Sequence, residues 1–137
     1  MPITRSIVHL DKFNPDVVLP YELRIKDFEI AFQDVYDFFF DVNSYLINKG
    51  LERLDDMMRP ANMSGLISDM LTVSIAKHSR SLTQNQFFNG HPDLIVQGVY
   101  PENKVKAGTE GVEVKSTRKK GAPSTPMAPA TSGWQCL

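Results

Sequence analysis

Two acidic residues and one lysine occur on two apolar segments that follow each other along the chain. Asp93 opens the run DLIVQGVY, and Glu113 and Lys115 alternate with Val112 and Val114. In a strand, residues two apart point to the same side, so Glu113 and Lys115 share a polar face while the valines face a core. If the two segments are neighbouring strands, the Asp93 carboxylate approaches Glu113.

Two carboxylates that lie close together repel each other unless a cation sits between them. Mg²⁺ suits this arrangement, because it prefers oxygen ligands and is commonly bound through one or two carboxylates together with phosphate oxygens and waters. The plainer interpretation is that both charged side chains face water. The sequence alone leaves both interpretations open.

The context of the two acids resembles a known nuclease motif. The strings GHPDLIV and EGVEVKSTRKKG are similar to the PD-(D/E)xK nuclease superfamily, and to restriction-endonuclease-like families within it, over roughly residues 64–121. This resemblance implies an αβββαβ core and Mg²⁺-dependent cleavage of DNA phosphodiesters. It also implies that Asp93, Glu113 and Lys115 are the catalytic residues. The metal ligands would be Asp93, Glu113 and the backbone carbonyl of Val114.

Basic residues are concentrated around the second motif. Between residues 102 and 121, six basic side chains stand against three acidic ones, a local charge of +3 in a chain whose net charge is −1. We expect this segment to neutralise backbone phosphates and hold DNA over the carboxylates, with salt-sensitive affinity. A solvated loop is the alternative for Lys119 and Lys120. The candidate DNA-binding residues are Lys104, Arg118, Lys119 and Lys120.

Several other polar residues are candidates for the same site. Asp69 is a candidate third acid, since members of the resembled family often carry one on the preceding helix, whereas a surface aspartate is the alternative. His91 either contacts DNA or shapes the turn before Pro92. Gln84 and Asn85 either read bases or line a strand edge, and the sequence does not decide between these roles.

Helices must position these residues, because helical periodicity fills the first part of the chain. From residue 25 to residue 46, apolar side chains recur at steps of three and four, the spacing of one helical face, and Gly50 follows as a stop. Residues 51–59 predict a short helix closed by Pro60, and residues 64–80 predict another. Aromatic residues off the main stripe of the first helix indicate a second contact, and we expect a homodimer.

Extended segments follow the helices. Residues 82–88, 93–100 and 111–117 have strand character, with Asn89-Gly90 as a turn. Helices followed by strands predict an α+β (mixed α/β) fold, with a small sheet of about three strands. In terms of the resemblance, this is a truncated restriction-endonuclease-like core.

The composition is that of one globular domain. The chain has 137 residues, of which 42% are hydrophobic and 23% charged. We expect a single domain over residues 1–121, with a helical part at 1–62 and a nuclease-like helix and strands at 63–121. The single cysteine, Cys136, excludes an intrachain disulfide and a thiolate zinc site. Without a long apolar segment, we expect a cytoplasmic protein with no membrane contact.

Residues 122–137 are expected to form an irregular tail rich in proline and alanine. The tail has no charged side chain and contains Pro123, Pro126 and Pro129, so it cannot supply the last helix and strand of the family core. Codons for residues 125–134 read one base earlier can encode a peptide that resembles the family's continuation, which indicates a frameshift near Ala122. The sequence therefore predicts an active nuclease, an inactive remnant, or a non-catalytic oligomeric binding or assembly protein with a helical dimer interface.

Overall fold

The computed structural model describes residues 3–116, which form helices followed by a small antiparallel sheet. The helices are α1 (Ile25–Asn48), α2 (Leu54–Met57) and α3 (Pro60–His78), and the strands are β1 (Leu82–Gln84) and β2 (Leu94–Val96). This order confirms the predicted mixed α+β class. Within the described range, no helix has the length and apolar character needed to cross a membrane. Arg118, Lys119, Lys120 and the predicted tail lie outside the described residues.

Helix α1 begins where an acidic side chain caps its first turn. The Asp27 carboxylate accepts hydrogen bonds from the Arg24 backbone N–H at 2.9 Å and from the Arg24 guanidinium at 2.8 Å. A negative charge in the first turn also interacts favourably with the helix dipole. The predicted apolar stripe is buried along the first half of the helix, at Phe28, Phe32 and Val35.

The junction between α2 and α3 differs from the prediction. The sequence predicts that Pro60 closes the short helix, but Pro60 is the first residue of α3, which therefore begins before Ser64. Proline is well suited to this position, because its fixed φ is helical and the N–H it lacks would have no partner there. Helix α2 is shorter than predicted and is held by the buried Asn43, whose side-chain oxygen accepts the Leu54 N–H at 2.8 Å.

One apolar core joins the helices to the sheet. Helix α3 packs against α1 on one side and against β1 on the other. Burying a large aliphatic or aromatic side chain stabilises a fold by about 1.5–3 kcal/mol. The core therefore fixes the position of the sheet relative to α3. Its buried members outside α1 include Ile67, Leu71, Ile75, Leu82, Leu94, Val112 and Val114.

The sheet is smaller than predicted. Strand β1 pairs with β2 in antiparallel register, with Gln84 opposite Leu94. On the other side of β2, Leu94 forms an isolated antiparallel bridge with Val112, and each residue donates its N–H to the other's carbonyl, at 3.0 and 2.9 Å. The predicted third strand is thus represented by one bridged pair. The next hydrogen-bonded pair in the direction of Pro92 cannot form, because Pro92 has no N–H to donate.

A glycine allows the third segment to approach β2. Gly111 has a φ of +147°, and a Cβ atom there would lie 2.2 Å from the Leu94 carbonyl oxygen. Tyr21, which lies just before α1, also anchors this segment. Its hydroxyl accepts a hydrogen bond from the Gly111 N–H and donates one to Glu110, both at 2.9 Å. A glycine is therefore required beside β2, one residue before the bridge at Val112.

Candidate functional site

The sheet register places Asp93 opposite Glu113. Leu94 and Val112 form the bridged pair, so the residue before Leu94 faces the residue after Val112. In antiparallel sheets, the position next to such a hydrogen-bonded pair is a non-hydrogen-bonded pair, whose side chains share a face and have Cβ atoms roughly 4.5–5.5 Å apart. The structure therefore brings together the two acids that the sequence singles out.

The Asp93 carboxylate is half-buried and has a fixed partner. Its Oδ2 accepts the Val114 backbone N–H at 2.8 Å. Burial raises the pKa of Asp93, and the negative charges of Glu113 and Asp69 raise it further, whereas the Val114 N–H and His91 act in the opposite direction. The raised pKa shows that the ionised carboxylate is disfavoured at this position, as expected for an acid that shares its surroundings with other acids.

Glu113 is largely buried and lies beside a histidine. Its side chain is 16% exposed, and its carboxylate oxygens lie 3.4 and 3.5 Å from the Nδ1 atom of His91. The sequence predicts that His91 is either a DNA contact or a turn residue, and it does not indicate that His91 lies near Glu113. The feature of the sequence that indicates a place for His91 near the acids is its position two residues before Asp93. The two acids are thus flanked by one imidazole ring.

Asp69 lies at the edge of the same region. It is an exposed residue of α3 that lines a cleft together with Asp93, and its charge acts on the pKa of Asp93. Lys115 is exposed two residues beyond Glu113, and no ion pair joins its ammonium group to either acid within residues 3–116. Lys104 pairs with Glu102 at 3.4 Å on the surface.

The donor set fits Mg²⁺ better than a metal that needs a full set of protein ligands. Among residues 3–116, no group of three or more histidine, cysteine, aspartate or glutamate side chains has metal-binding geometry. Zinc in structural sites takes four protein ligands, usually nitrogen and sulfur. Mg²⁺ keeps several waters and needs only one or two carboxylates. Asp93, Glu113 and the Val114 carbonyl are the oxygen donors that would hold it.

A cleft of about 280 Å³ opens beside Asp93. Helix α3 forms one wall, and β1 with the turn that follows it forms the other. The wall residues combine carboxylate, amide, hydroxyl and apolar side chains, so the cleft suits an uncharged or cationic group with polar edges. They are Asp69, Thr72, Val73, Gln84, Asn85, Phe87, Asn89 and Gly90.

Asn85 holds the walls of this cleft in place. Its side-chain NH₂ group donates to the carbonyls of Pro92 and Val105 at 3.0 and 2.7 Å. Its side-chain oxygen accepts the N–H groups of Phe87 and Val105 at 3.0 and 3.1 Å. Both donors and both lone pairs of this amide are used, so Asn85 is a structural residue, and Gln84 and Asn89 are the lining amides that remain for contact with a ligand.

The candidate site therefore consists of two carboxylates on neighbouring segments, a nearby imidazole and an adjoining cleft. Its residues come from α3, from β1, from the segment that leads into β2, and from the bridged segment after Gly111. A scan of the sequence against protein-family models found no match, and neither did searches of curated proteins and of solved structures.

Proposed function

We propose that this chain is a Mg²⁺-dependent DNA endonuclease of the PD-(D/E)xK type, or a truncated remnant of one. The observation that carries the proposal is the register that sets Asp93 opposite Glu113. The order of α3, β1, β2 and the Glu113 segment supports it, because this order agrees with the first part of the αβββαβ core that the sequence resemblance implies. Lys115 follows Glu113 at the spacing of the same motif.

The roles of the residues follow from their chemistry. Bound Mg²⁺ would supply positive charge to balance the negative charge that develops on a phosphate under attack. Asp93 and Glu113 bind and orient this charge, and the Val114 N–H fixes the Asp93 carboxylate. The Lys115 ammonium group donates hydrogen bonds to a phosphate oxygen or to the attacking water, which holds the reactants in position.

DNA is the proposed substrate because basic residues are concentrated beside the acids. The segment from residue 102 to residue 121 has a local charge of +3, and Lys104, Arg118, Lys119 and Lys120 are its proposed phosphate contacts. A cytoplasmic location belongs to the same proposal, since a chain with one cysteine suits a reducing compartment.

A plasmid-nicking assay tests this function. The purified full chain should convert supercoiled plasmid to nicked or linear forms with Mg²⁺ but not with EDTA. Asp93→Asn and Lys115→Ala should each reduce the rate by about 10²–10³-fold, the usual effect of removing one electrostatic contact to the reacting group. Lys12→Ala, an exposed lysine outside the site, is the matched control and should keep full activity. Equal cleavage by wild type and Lys115→Ala would contradict the assigned role.

A second candidate function is a non-catalytic oligomeric binding or assembly protein. The observation that favours it is a group of exposed apolar residues at the end of α1 and just beyond, namely Tyr45, Ile47, Leu51 and Met57. Exposed apolar patches often mark interfaces. Sedimentation should then show a dimer for both wild type and Asp93→Ala, and a monomer for the Tyr45→Ser, Ile47→Ser double variant. A monomeric wild type would rule this candidate out.

A further inference from the structure

Two phenylalanines are exposed on the turn between β1 and β2. Phe87 is 41% exposed and Phe88 is 86% exposed. The turn is closed by a hydrogen bond from the Gly90 N–H to the Phe87 carbonyl at 2.9 Å, and Asn89 has a φ of +54°. Phe88 therefore occupies a corner of a tight turn, where its ring has little contact with the rest of the chain.

Hydrogen bonds and close packing hold the backbone that exposes the Phe87 and Phe88 rings. Asn85 bonds the Phe87 N–H and also bonds both backbone groups of Val105. A Cβ atom at Gly90 would lie 2.5 Å from the Val105 carbonyl oxygen, so the turn is tightly packed against that segment. A rigid turn that presents two aromatic rings loses little conformational freedom when it binds a partner.

The turn also forms one wall of the cleft that contains Asp93. Phe87 provides an aromatic surface and the exposed Val73 faces the cleft from α3, while the Gln84 amide adds a polar group. The cleft volume of about 280 Å³ is close to the lower end of the roughly 300–1,000 Å³ of small-ligand sites. It therefore has room for one planar ring system. Asp69 and Asp93 would repel an anion, so the part of a ligand that enters the cleft must be uncharged or cationic.

We propose that this cleft receives an unpaired nucleobase from the DNA strand whose phosphate lies at Asp93 and Glu113. Phe87 stacks on that base and Phe88 on its neighbour, since aromatic rings bind any base through its flat face. The Gln84 amide is available to hydrogen-bond to a base edge. This inference rests on the proposed nuclease function and narrows its substrate class to single-stranded or locally unpaired DNA.

Binding of fluorescent oligonucleotides tests the inference. The fluorescence anisotropy of a labelled single-stranded DNA is measured as the full chain is added, in a buffer that contains Ca²⁺. The same measurement is made with an abasic sugar-phosphate strand of the same length. Phe87→Ala and Phe88→Ala should each weaken binding of the normal strand roughly 5- to 150-fold, the factor expected for the loss of one stacked base. The abasic strand lacks both stacked bases, so it should bind wild type more weakly than either variant binds the normal strand, and neither substitution should weaken its binding further.

Control variants separate stacking from effects on folding. Val18→Ala removes an exposed apolar side chain outside the cleft and should leave the affinity unchanged. Phe88→Ala removes a largely exposed ring, so it should leave the urea unfolding curve unchanged. Equal wild-type affinity for the normal and abasic strands would overturn the inference, and so would full affinity in both phenylalanine variants.

The outcomes also distinguish this inference from the nuclease proposal. Base-dependent binding that is lost in Phe87→Ala, without any Mg²⁺-dependent cleavage, would support the stacking cleft and reject the catalytic function. Cleavage of intact duplex at the same rate by wild type and by both phenylalanine variants would support the nuclease and reject the stacking cleft. Gels run on the binding samples show whether the strands stay intact.

Discussion

Two substitutions at Asp93 test separately the effect of the hydrogen bond that its carboxylate accepts and the effect of the carboxylate's negative charge. Asp93→Asn keeps an oxygen that can accept the Val114 N–H and removes the negative charge that Glu113 and Asp69 oppose. Asp93→Ala removes the oxygen as well. We expect the carboxylate to bind the metal and its negative charge to destabilise the fold. The two variants should then differ in their free energy of unfolding, and both should lose the ability to bind the metal.

The expected magnitudes follow from the environment of the Val114 N–H. Val114 is buried, and leaving a buried donor unpaired costs about 1–3 kcal/mol. We therefore expect Asp93→Ala to have a free energy of unfolding about 1–3 kcal/mol below that of Asp93→Asn. The asparagine variant should be at least as stable as wild type at neutral pH, because the raised pKa of Asp93 shows that its ionised form is disfavoured in the fold.

The sign of the pH dependence is fixed by the direction of that shift. Burial raises the folded-state pKa of Asp93 above its usual value of 3.8, so the folded chain binds this proton more tightly than the unfolded chain does. The contribution of Asp93 to stability is therefore fully present below its unfolded-state pKa and is lost as the pH rises through the folded-state pKa. Asparagine does not ionise, so the Asp93→Asn variant does not lose stability in this way. Its stability relative to wild type should therefore increase as the pH rises from acid to neutral.

Urea unfolding with and without Mg²⁺ is the assay. A ligand that binds only the folded state adds about 2.7 kcal/mol at a concentration one hundred times its dissociation constant. Wild type should show such a gain with Mg²⁺, and both Asp93 variants should lose most of it. The reasoning is refuted if the asparagine variant is as unstable as the alanine variant, or if Mg²⁺ stabilises it as much as wild type.

Three further substitutions are tested by urea unfolding. Gly111→Ala should cost about 3 kcal/mol or more, because its Cβ would lie 2.2 Å from the Leu94 carbonyl oxygen; an unchanged midpoint would contradict this. Asn85→Ala should cost about 2–6 kcal/mol, since four hydrogen bonds are lost at about 0.5–1.5 kcal/mol each; a cost below about 0.5 kcal/mol would contradict the role of this amide. Burial acts to raise the pKa of Asp34, but hydrogen bonds from two α3 side chains, Ser74 and His78, lower this pKa overall. Asp34→Asn should therefore destabilise the chain at neutral pH, and the difference should vanish as the pH falls through the folded-state pKa; a difference that persists in acid would contradict it.

Local sequence patterns predicted the parts of the fold that depend on local interactions. The apolar spacing from residue 25 to residue 46 predicted α1, which spans Ile25–Asn48, because helical periodicity reflects which side chains face the core. The alternation around Glu113 predicted that Val112 and Val114 face inward, and both are buried. Pro60 was misassigned because proline both ends a helix and begins one, and the choice depends on the packing of the residues that follow.

Contacts between distant residues could not be predicted in the same way. Tyr21 and Gly111 are 90 residues apart, and their hydrogen bond fixes the third segment of the sheet. Asn85 bonds Val105 across 20 residues, which gives this amide a structural role that its own neighbourhood in the sequence does not indicate. The proximity of His91 to Glu113 likewise depends on how the two segments pair.

The most direct test of the metal site is an anomalous diffraction experiment on crystals of the full chain soaked in Mn²⁺. Mn²⁺ prefers the same oxygen ligands as Mg²⁺ and scatters anomalously. The proposed site predicts one strong peak between the Asp93 and Glu113 carboxylates, with oxygen ligands at about 2.0–2.6 Å. A crystal that binds Mn²⁺ only elsewhere, or in which these two carboxylates point to opposite faces of the sheet, would contradict the site.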